Sequence, residues 1–567
     1  MSAITSPRAN VPAAAGAIKT ITARQLADRL REKHELAVID VRELARHVDD
    51  GHLLLSIPLP LSQLEIQADA LLPHRGAPVV VYDSGDHTDD HTGNRSGEVG
   101  LAQRAAARLV AAGYRDVAVL DGGVRAWRDA GLEVYTGWHV LSKAFGEFVE
   151  HAYGTPHIPA EELKSRIDRG EDLIVLDGRN IDEFYNFSIP GAHACPNAEL
   201  PYRVHDLVPS RDTLVVVNCA GRTRSIIGAQ ALINTGLPNR VVALENGAMA
   251  WLKAGYPLNT KHHNTAPPPT PAGLAKARQS TAALRRRFAI QDLDRAGLQA
   301  LRADPDRTLY VLDVRTREEF RDGHLPRSVW AEGGQLIQAT DQWIATRHAR
   351  VVLVDDRDGV RAAITASWLI QLGWDDVYTY GLDPATDALE LGAGQRAVLG
   401  LPAAATPITA EALCQGLEAR RLAVFDFSPS PLYRVSHIPG ARFALRSRID
   451  QRLLDAAADR DIVVVASDPA LARLAAADIA ALAGADRVRV LAGGNLAWRD
   501  NGGELLGAED LHWHDPADDV WLSPYFREDR IAAFDTYIDW EVGLIDQLKR
   551  DALVSFQRYD DIAGRAS

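Results

Sequence analysis

The sequence predicts the α/β class: four tandem domains, each a parallel sheet flanked by helices, followed by a C-terminal amphipathic helix. Two observations lead there. A pattern of strands, turns and helices recurs four times at near-constant spacing, and its strands are almost unbroken runs of Val, Ile and Leu, as expected of strands buried on both faces of a parallel sheet. The length agrees: 567 residues exceed one core, at about 100–200 residues per domain.

Each repeat begins with a helical stretch and an apolar strand ending in aspartate: AVID at Asp40, LIVLD at Asp177, LYVLD at Asp313 and LAVFD at Asp426. A turn bearing His, Pro or Gly comes next (DDGHLLLS, FSIPGAH, RDGHLPRS, VSHIPGA), then a second strand (PVVVYDS, LVVVNCA, RVVLVDD, DIVVVAS). From that aspartate to the end of the second strand is 43, 42, 42 and 41 positions, which sets Asp83, Cys219, Asp355 and Ser467 at equivalent sites. A helix and a closing turn complete each repeat (LDGGVRAW, LENGAMAW, TYGLDPAT, LAGGNLAW), with Trp127, Trp251 and Trp498 in register. Self-similarity of this kind marks a tandem array.

These landmarks divide the chain into a flexible N-terminus at 1–17, domains at 18–140, 141–262, 286–402 and 403–512, a Pro-rich linker at 263–285 and a helical tail at 513–567. The stretch KHHNTAPPPTPAGLAKARQ is polar and rich in proline, and is expected to part the chain into two successive pairs of domains. In the tail, Ile531, Phe534, Ile538, Val542, Ile545, Leu548, Ala552 and Phe556 recur at steps of three and four, which predicts one amphipathic helix. Its first reading is a helix packed on its own domain; the second is a homodimer contact.

Composition removes several function classes. Lys+Arg 62 against Asp+Glu 76 leaves a net charge of −14, which argues against nucleic acid or an anionic membrane as the main partner, so an anion site must be local. No stretch approaches 18 uninterrupted apolar residues and the N-terminus lacks a signal-peptide pattern; a cytoplasmic protein is expected. Cys195, Cys219 and Cys414 are too few and scattered for a disulfide framework or a thiolate zinc site. No cofactor and no metal are expected: His87 and His91, in DSGDHTDDHTGNRS, read as an exposed polar loop before they read as ligands.

In the second repeat, Asp-x-Arg after the first strand, IPGA about a dozen residues on, a strand ending in cysteine, the loop CAGRTR and the closing NGAMAW together resemble the rhodanese sulfurtransferases. The other repeats keep the scaffold and lack the cysteine. The resemblance implies rhodanese-like domains throughout, with Cys219 of the second as the active nucleophile and Asp177 and Arg179 as a framework ion pair. Two-domain members of that family pair an inactive first domain with an active second one, as residues 18–262 would.

Chemistry leads to the same residue. A strand-loop-helix turn points successive backbone N–H groups, and the positive end of a helix, at one spot. A thiol there is expected to ionise more readily than its ordinary value of about 8.5, and Arg222 and Arg224 add charge suited to an anionic donor. Ala220, Gly221, Arg222, Thr223, Arg224 and Ser225 form the expected substrate-binding loop. Attack on the outer sulfur of a small-molecule donor such as thiosulfate would leave a persulfide on Cys219, to be removed by a thiol acceptor in a ping-pong cycle. Asp83, Asp355 and Ser467 cannot carry sulfur, and the third loop, DDRDGVR, sets Asp355, Asp356 and Asp358 where an anion would sit. Cys195 reads as core first and as a resolving thiol second; Cys414 reads as inert. A phosphatase would need Cys-x5-Arg, whereas here Ser225 stands at that place. The alternative is a sulfur-relay or persulfide-sensing scaffold whose cysteine-free domains dock a partner.

Overall fold

The computed structural model describes residues 18–85, 100–394, 397–403, 405–551 and 553–558. The acidic loop bearing His87 and His91, the 1–17 segment and Ala552 lie outside them. Four parallel sheets are present, one per repeat, each flanked by helices. In the second, the strands run His157–Ile158, Val241–Leu244, Leu214–Asn218, Leu173–Asp177, His193–Ala194 across the sheet. The central strands Leu214–Asn218 and Leu173–Asp177 are in register from Leu173 opposite Leu214 to Asp177 opposite Asn218. Val215, Val216 and Val217 are fully buried, alternate residues entering cores on opposite faces, which is why the run has no polar alternation.

The aspartate ending the first strand of each repeat is a clamp. In the second repeat Asp177 accepts the backbone N–H of Arg179 (3.1 Å), its Nε (2.9 Å) and Nη2 (2.8 Å), and that guanidinium donates to the Phe187 carbonyl. Asp40 with Arg42 and Asp313 with Arg315 repeat the arrangement, reaching the carbonyls of Gly51 and Gly323. In the fourth repeat Asp426 takes the backbone N–H of Ser428 instead. All four aspartates are fully buried, and the clamp fixes the strand end that faces the loop of the neighbouring strand.

The chain packs as two compact units. Among the described residues, one gathers the first and fourth repeats (18–26 and 37–138 with 397–521); the other gathers the second and third with 27–36 and the C-terminal segment (139–394 with 522–558). This corrects the expectation of successive pairs. The reason lies in the stretch read as a linker: Pro271–Arg287 is a helix. Thr270 caps it by accepting the Gly273 N–H, Pro271 takes the first helical position, and the Asp206 carboxylate accepts both the N–H and the hydroxyl of Thr270. Proline is preorganised there rather than disruptive. Ala277, Thr281 and Leu284 are buried, and the helix packs on Leu200–Leu207 of the second repeat and Val360–Leu372 of the third, so it joins these repeats rather than separating pairs.

Two further boundaries move. The strand His512–Trp513 adds to the fourth sheet beside Arg442–Phe443, so the fourth domain continues past 512. The tail helix spans Arg530–Arg550 and buries Phe534, Glu541 and Leu544 within its own unit, against the helix Val140–Tyr153; Phe556 packs edge-on to Phe145. Among the described residues the helix thus packs on the second repeat and not on the fourth domain that precedes it in the chain, and Ile531 and Val542 remain exposed. Among the described residues no helix is long and apolar enough to cross a membrane.

Candidate active site

Cys219 directly follows the last residue of the strand Leu214–Asn218 and precedes the helix Thr223–Asn234, so Cys219–Arg222 form the tight turn between them. The turn is held from two sides. The Cys219 carbonyl accepts the Ala248 N–H (2.9 Å), and the Ala220 carbonyl accepts the Met249 N–H (3.0 Å). Gly247 makes this approach possible: at φ +52°, a Cβ there would lie 2.4 Å from the Cys219 oxygen and 2.7 Å from that of Gly221, so only glycine fits. Asn197 donates to the Arg224 carbonyl (2.9 Å), and the Ser225 hydroxyl donates to that of Arg222 (2.7 Å). Behind the turn, Asn218 donates to Asp177 (2.8 Å), tying it to the Asp177–Arg179 clamp.

The two arginines are not open to the loop's centre. Arg222 forms a bidentate pair with Glu147 (2.7 and 2.9 Å), meets Glu150, and donates to Asn246 (3.0 Å). Arg224 pairs with both oxygens of Glu183 and donates to Gln335 (2.9 Å). Each guanidinium is thus neutralised by carboxylates from its own unit. Glu147, Glu150 and His151 also have ligand-capable atoms within 4.8 Å of one another, but the two carboxylates are engaged by Arg222.

A roof over the turn comes from the C-terminal segment, which sequence reasoning did not bring here. Tyr525 donates its hydroxyl to the Ala220 carbonyl (2.7 Å). The Tyr537 ring lies 3.4 Å from where a Cβ on Gly221 would be, and Glu541 accepts a hydrogen bond from the Thr223 hydroxyl. Lys143 reaches the same place from the helix Val140–Tyr153, donating to the Tyr537 hydroxyl. Beneath this roof Cys219 is 2% exposed. Burial pushes its thiol above the ordinary range, while the Arg224 charge and the hydroxyl and N–H of Ser225 pull it back. The expectation of a thiol lowered outright is therefore corrected: the polar groups are present, and desolvation outweighs them.

The other cysteines have no such surroundings. Cys195 is fully buried in the apolar cluster of Leu176, Leu200, Val204 and Val217, and burial pushes its thiol far up. Cys414 lies half-buried on its helix, near Glu418. At the equivalent positions of the other repeats the turn serves the side chain that stands there. Asp83 accepts the N–H groups of Gly85 and Ala102 (both 3.0 Å). Asp355 accepts those of Asp356 (2.8 Å) and Ala362 (3.0 Å) and the Nε of Arg361 (2.9 Å). The backbone N–H of Ser467 donates to Ser428 (2.9 Å).

The chain is similar to known proteins. Residues 22–130, 159–254, 295–381 and 409–501 each match the Rhodanese-like domain. The crystal structure of a thiosulfate sulfurtransferase from Pseudomonas aeruginosa is 41% identical over 95% of this chain and 99% of that one, with a TM-score of 0.89. A sulfurtransferase of Allochromatium vinosum is 32% identical over 101 residues, 18% of this chain and 92% of that protein. The Bacillus subtilis protein YrkF is 30% identical over 113 residues, 20% of this chain; the match spans 60% of YrkF.

Proposed function

The chain belongs to the rhodanese-like family and is a sulfurtransferase of rhodanese type, and from that premise we propose that it moves sulfane sulfur from thiosulfate to a thiol through a persulfide on Cys219. One observation carries the assignment: of four equivalent strand ends, only the second presents a sulfur atom to a turn of backbone N–H groups, while the first and third present carboxylates that those groups already bind. The turn is thus a place that holds an anionic side chain, and in the second repeat the anion would be a thiolate.

In the first half-reaction the Cys219 thiolate attacks the outer sulfur of thiosulfate. A sulfur–sulfur bond forms, the bond to the sulfonate sulfur breaks, and sulfite departs with the electron pair. In the second, an acceptor thiolate attacks the terminal sulfur of the persulfide and Cys219 leaves as the thiolate. Backbone N–H groups of Ala220, Gly221, Arg222, Thr223, Arg224 and Ser225 would cradle the terminal sulfur. The side chains of Arg222 and Arg224 would hold the loop in shape through their carboxylate partners, with the Arg224 charge also favouring the thiolate. Asp177 and Arg179 would fix the strand end behind it.

The test is intact-mass spectrometry after exposure to thiosulfate. One added sulfur per chain is expected, lost in Cys219→Ser and retained in Cys195→Ser and Cys414→Ser; uptake that persists in Cys219→Ser sinks the assignment. The 2% exposure of Cys219 favours one second reading, a relay that receives sulfur only from a docked partner. Turnover with thiosulfate and a small thiol, absent in such a relay, separates the two.

A further inference from the structure

For an anionic donor to use either loop arginine it would have to break a bidentate pair, and such pairs are strong because both bonds are charge-assisted and geometrically matched. A third cation beside the turn is held differently. Lys143 is 7% exposed; its ammonium donates to the Tyr537 hydroxyl, lies 4.6 Å from the centre of that ring and 5.7 Å from that of Trp540, and comes no nearer than 4.0 Å to Glu541 Oε2. An ammonium has three donors and no fixed fork, so this contact to Glu541 is long and easily exchanged.

Glu541 is unsatisfied in a complementary way. It is fully buried, Oε1 is engaged by Thr223, and Oε2 has no hydrogen bond of good geometry among the described residues, with Tyr537 and the Lys143 ammonium (4.0 Å) beside the carboxylate. That oxygen lies 3.9 Å from where a Cβ on Gly221 would be, so it faces the turn itself. A buried carboxylate oxygen without a well-aligned donor is costly, and the ammonium 4.0 Å from it makes an ion pair without a direct hydrogen bond beside the loop. Burial draws the Lys143 ammonium toward the neutral form, and the charges of Glu541 and Cys219 oppose this.

We propose that Lys143 takes the anionic group of the sulfur donor, in exchange for its long contact with Glu541, and thereby sets the preference of Cys219 for anionic over neutral reagents. The inference rests on the reading of Cys219 as the sulfur carrier. Its residues come from outside the active loop: Lys143 from the helix preceding the second sheet, and Glu541 from the C-terminal helix, which acts as the internal competitor for the same cation.

Iodoacetate and iodoacetamide provide the test on the full-length protein, because they alkylate a thiolate by the same displacement and differ by one charge. The ratio of their rates at Cys219, located by peptide mass, reads the anion site separately from the reactivity of the thiolate. In Lys143→Met the ratio is expected to fall about tenfold or more, with the KM for thiosulfate rising by a similar factor and kcat changing less; Lys143→Arg restores part of both. In Glu541→Gln the ratio is expected to rise. An unchanged ratio and KM in Lys143→Met overturns the proposal. Should that variant not fold, a ratio that fails to rise in Glu541→Gln overturns it instead. Sulfur uptake by Cys219→Ser is a separate outcome: it removes the carrier assignment and with it the premise of this inference, whatever the alkylation ratio.

Discussion

A thiol that is 2% exposed ionises against the cost of burying its charge, and Arg224 and Ser225 offset only part of that cost. Alkylation of Cys219 by iodoacetamide should therefore keep rising with pH beyond the ordinary thiol midpoint of about 8.5, and Arg224→Gln should move the midpoint higher still; a plateau below pH 8 would contradict the burial argument. Arg222 has a different weight. Its side chain is 10% exposed and its partner Glu147 is fully buried, with a carboxyl that burial raises to about 7 even beside this arginine, so Arg222→Ala leaves a buried acid that must take up a proton or stay unpaired. A loss of about 3–5 kcal/mol is expected, read as a lowered denaturation midpoint. Cys219 and its loop are legible in the sequence because the chemistry is local: seven consecutive residues carry the strand end, the turn and the helix start. The carboxylates that neutralise the arginines are not. Glu147 and Glu150 look in sequence like the solvated face of a helix, and Glu183 stands 41 residues from Arg224.

Among the elements, the strands announce themselves through their unbroken β-branched runs, whereas the helix Pro271–Arg287 is hidden by the prolines that precede it. APPPTP reads as a breaker, yet the last of these prolines sits at the first helical position, where its missing N–H costs nothing. Leu284 distinguishes a packed helix from a linker. It is 2% exposed and belongs to the same core as Leu312, Leu353 and Trp368, so Leu284→Ala should cost about 2–5 kcal/mol in thermal or urea unfolding of the full chain. A linker would show almost none. The C-terminal helix teaches the reverse lesson: its apolar period is plain, but a periodic stripe says only that a face is covered. What covers it, and that Tyr537 and Glu541 of the same helix reach the Cys219 turn, depends on tertiary packing.

On the scale of the whole molecule, four similar repeats admit several pairings, and their shared signature cannot choose between them. The choice is made by side chains that differ from repeat to repeat. Arg446 of the fourth repeat forms a bidentate pair with Glu65 of the first (2.6 and 2.9 Å) and meets Asp478 (2.8 Å). Arg361 of the third reaches Glu199 of the second (2.9 Å). Glu43 of the first repeat, bonded to Ser62 and to Ser447 of the fourth, gives a test. Burial raises its carboxyl to about 7 from an unfolded value of about 4.3. The folded protein thus holds a proton that the unfolded chain has released over that interval, and stability falls as pH rises through it. Glu43→Gln should therefore add on the order of 3–4 kcal/mol at pH 8 and almost nothing at pH 4, seen as a flattened pH profile of the melting temperature.

The aspartates in the cysteine-free turns also bear on whether a second sulfur site could be installed. A carboxylate covalently fixed where a substrate ion would rest is a permanent occupant, and its surroundings match it. Around Asp355, Arg361 is a hub that also binds Glu199, Glu319 and Asp356. Replacing Asp355 by cysteine would set a nucleophile inside a nest of negative charge, with the adjacent guanidinium still committed to its other partners. A single Asp355→Cys exchange is therefore expected to leave a thiol that thiosulfate reaches poorly, because the charges committed to one another around it repel the donor.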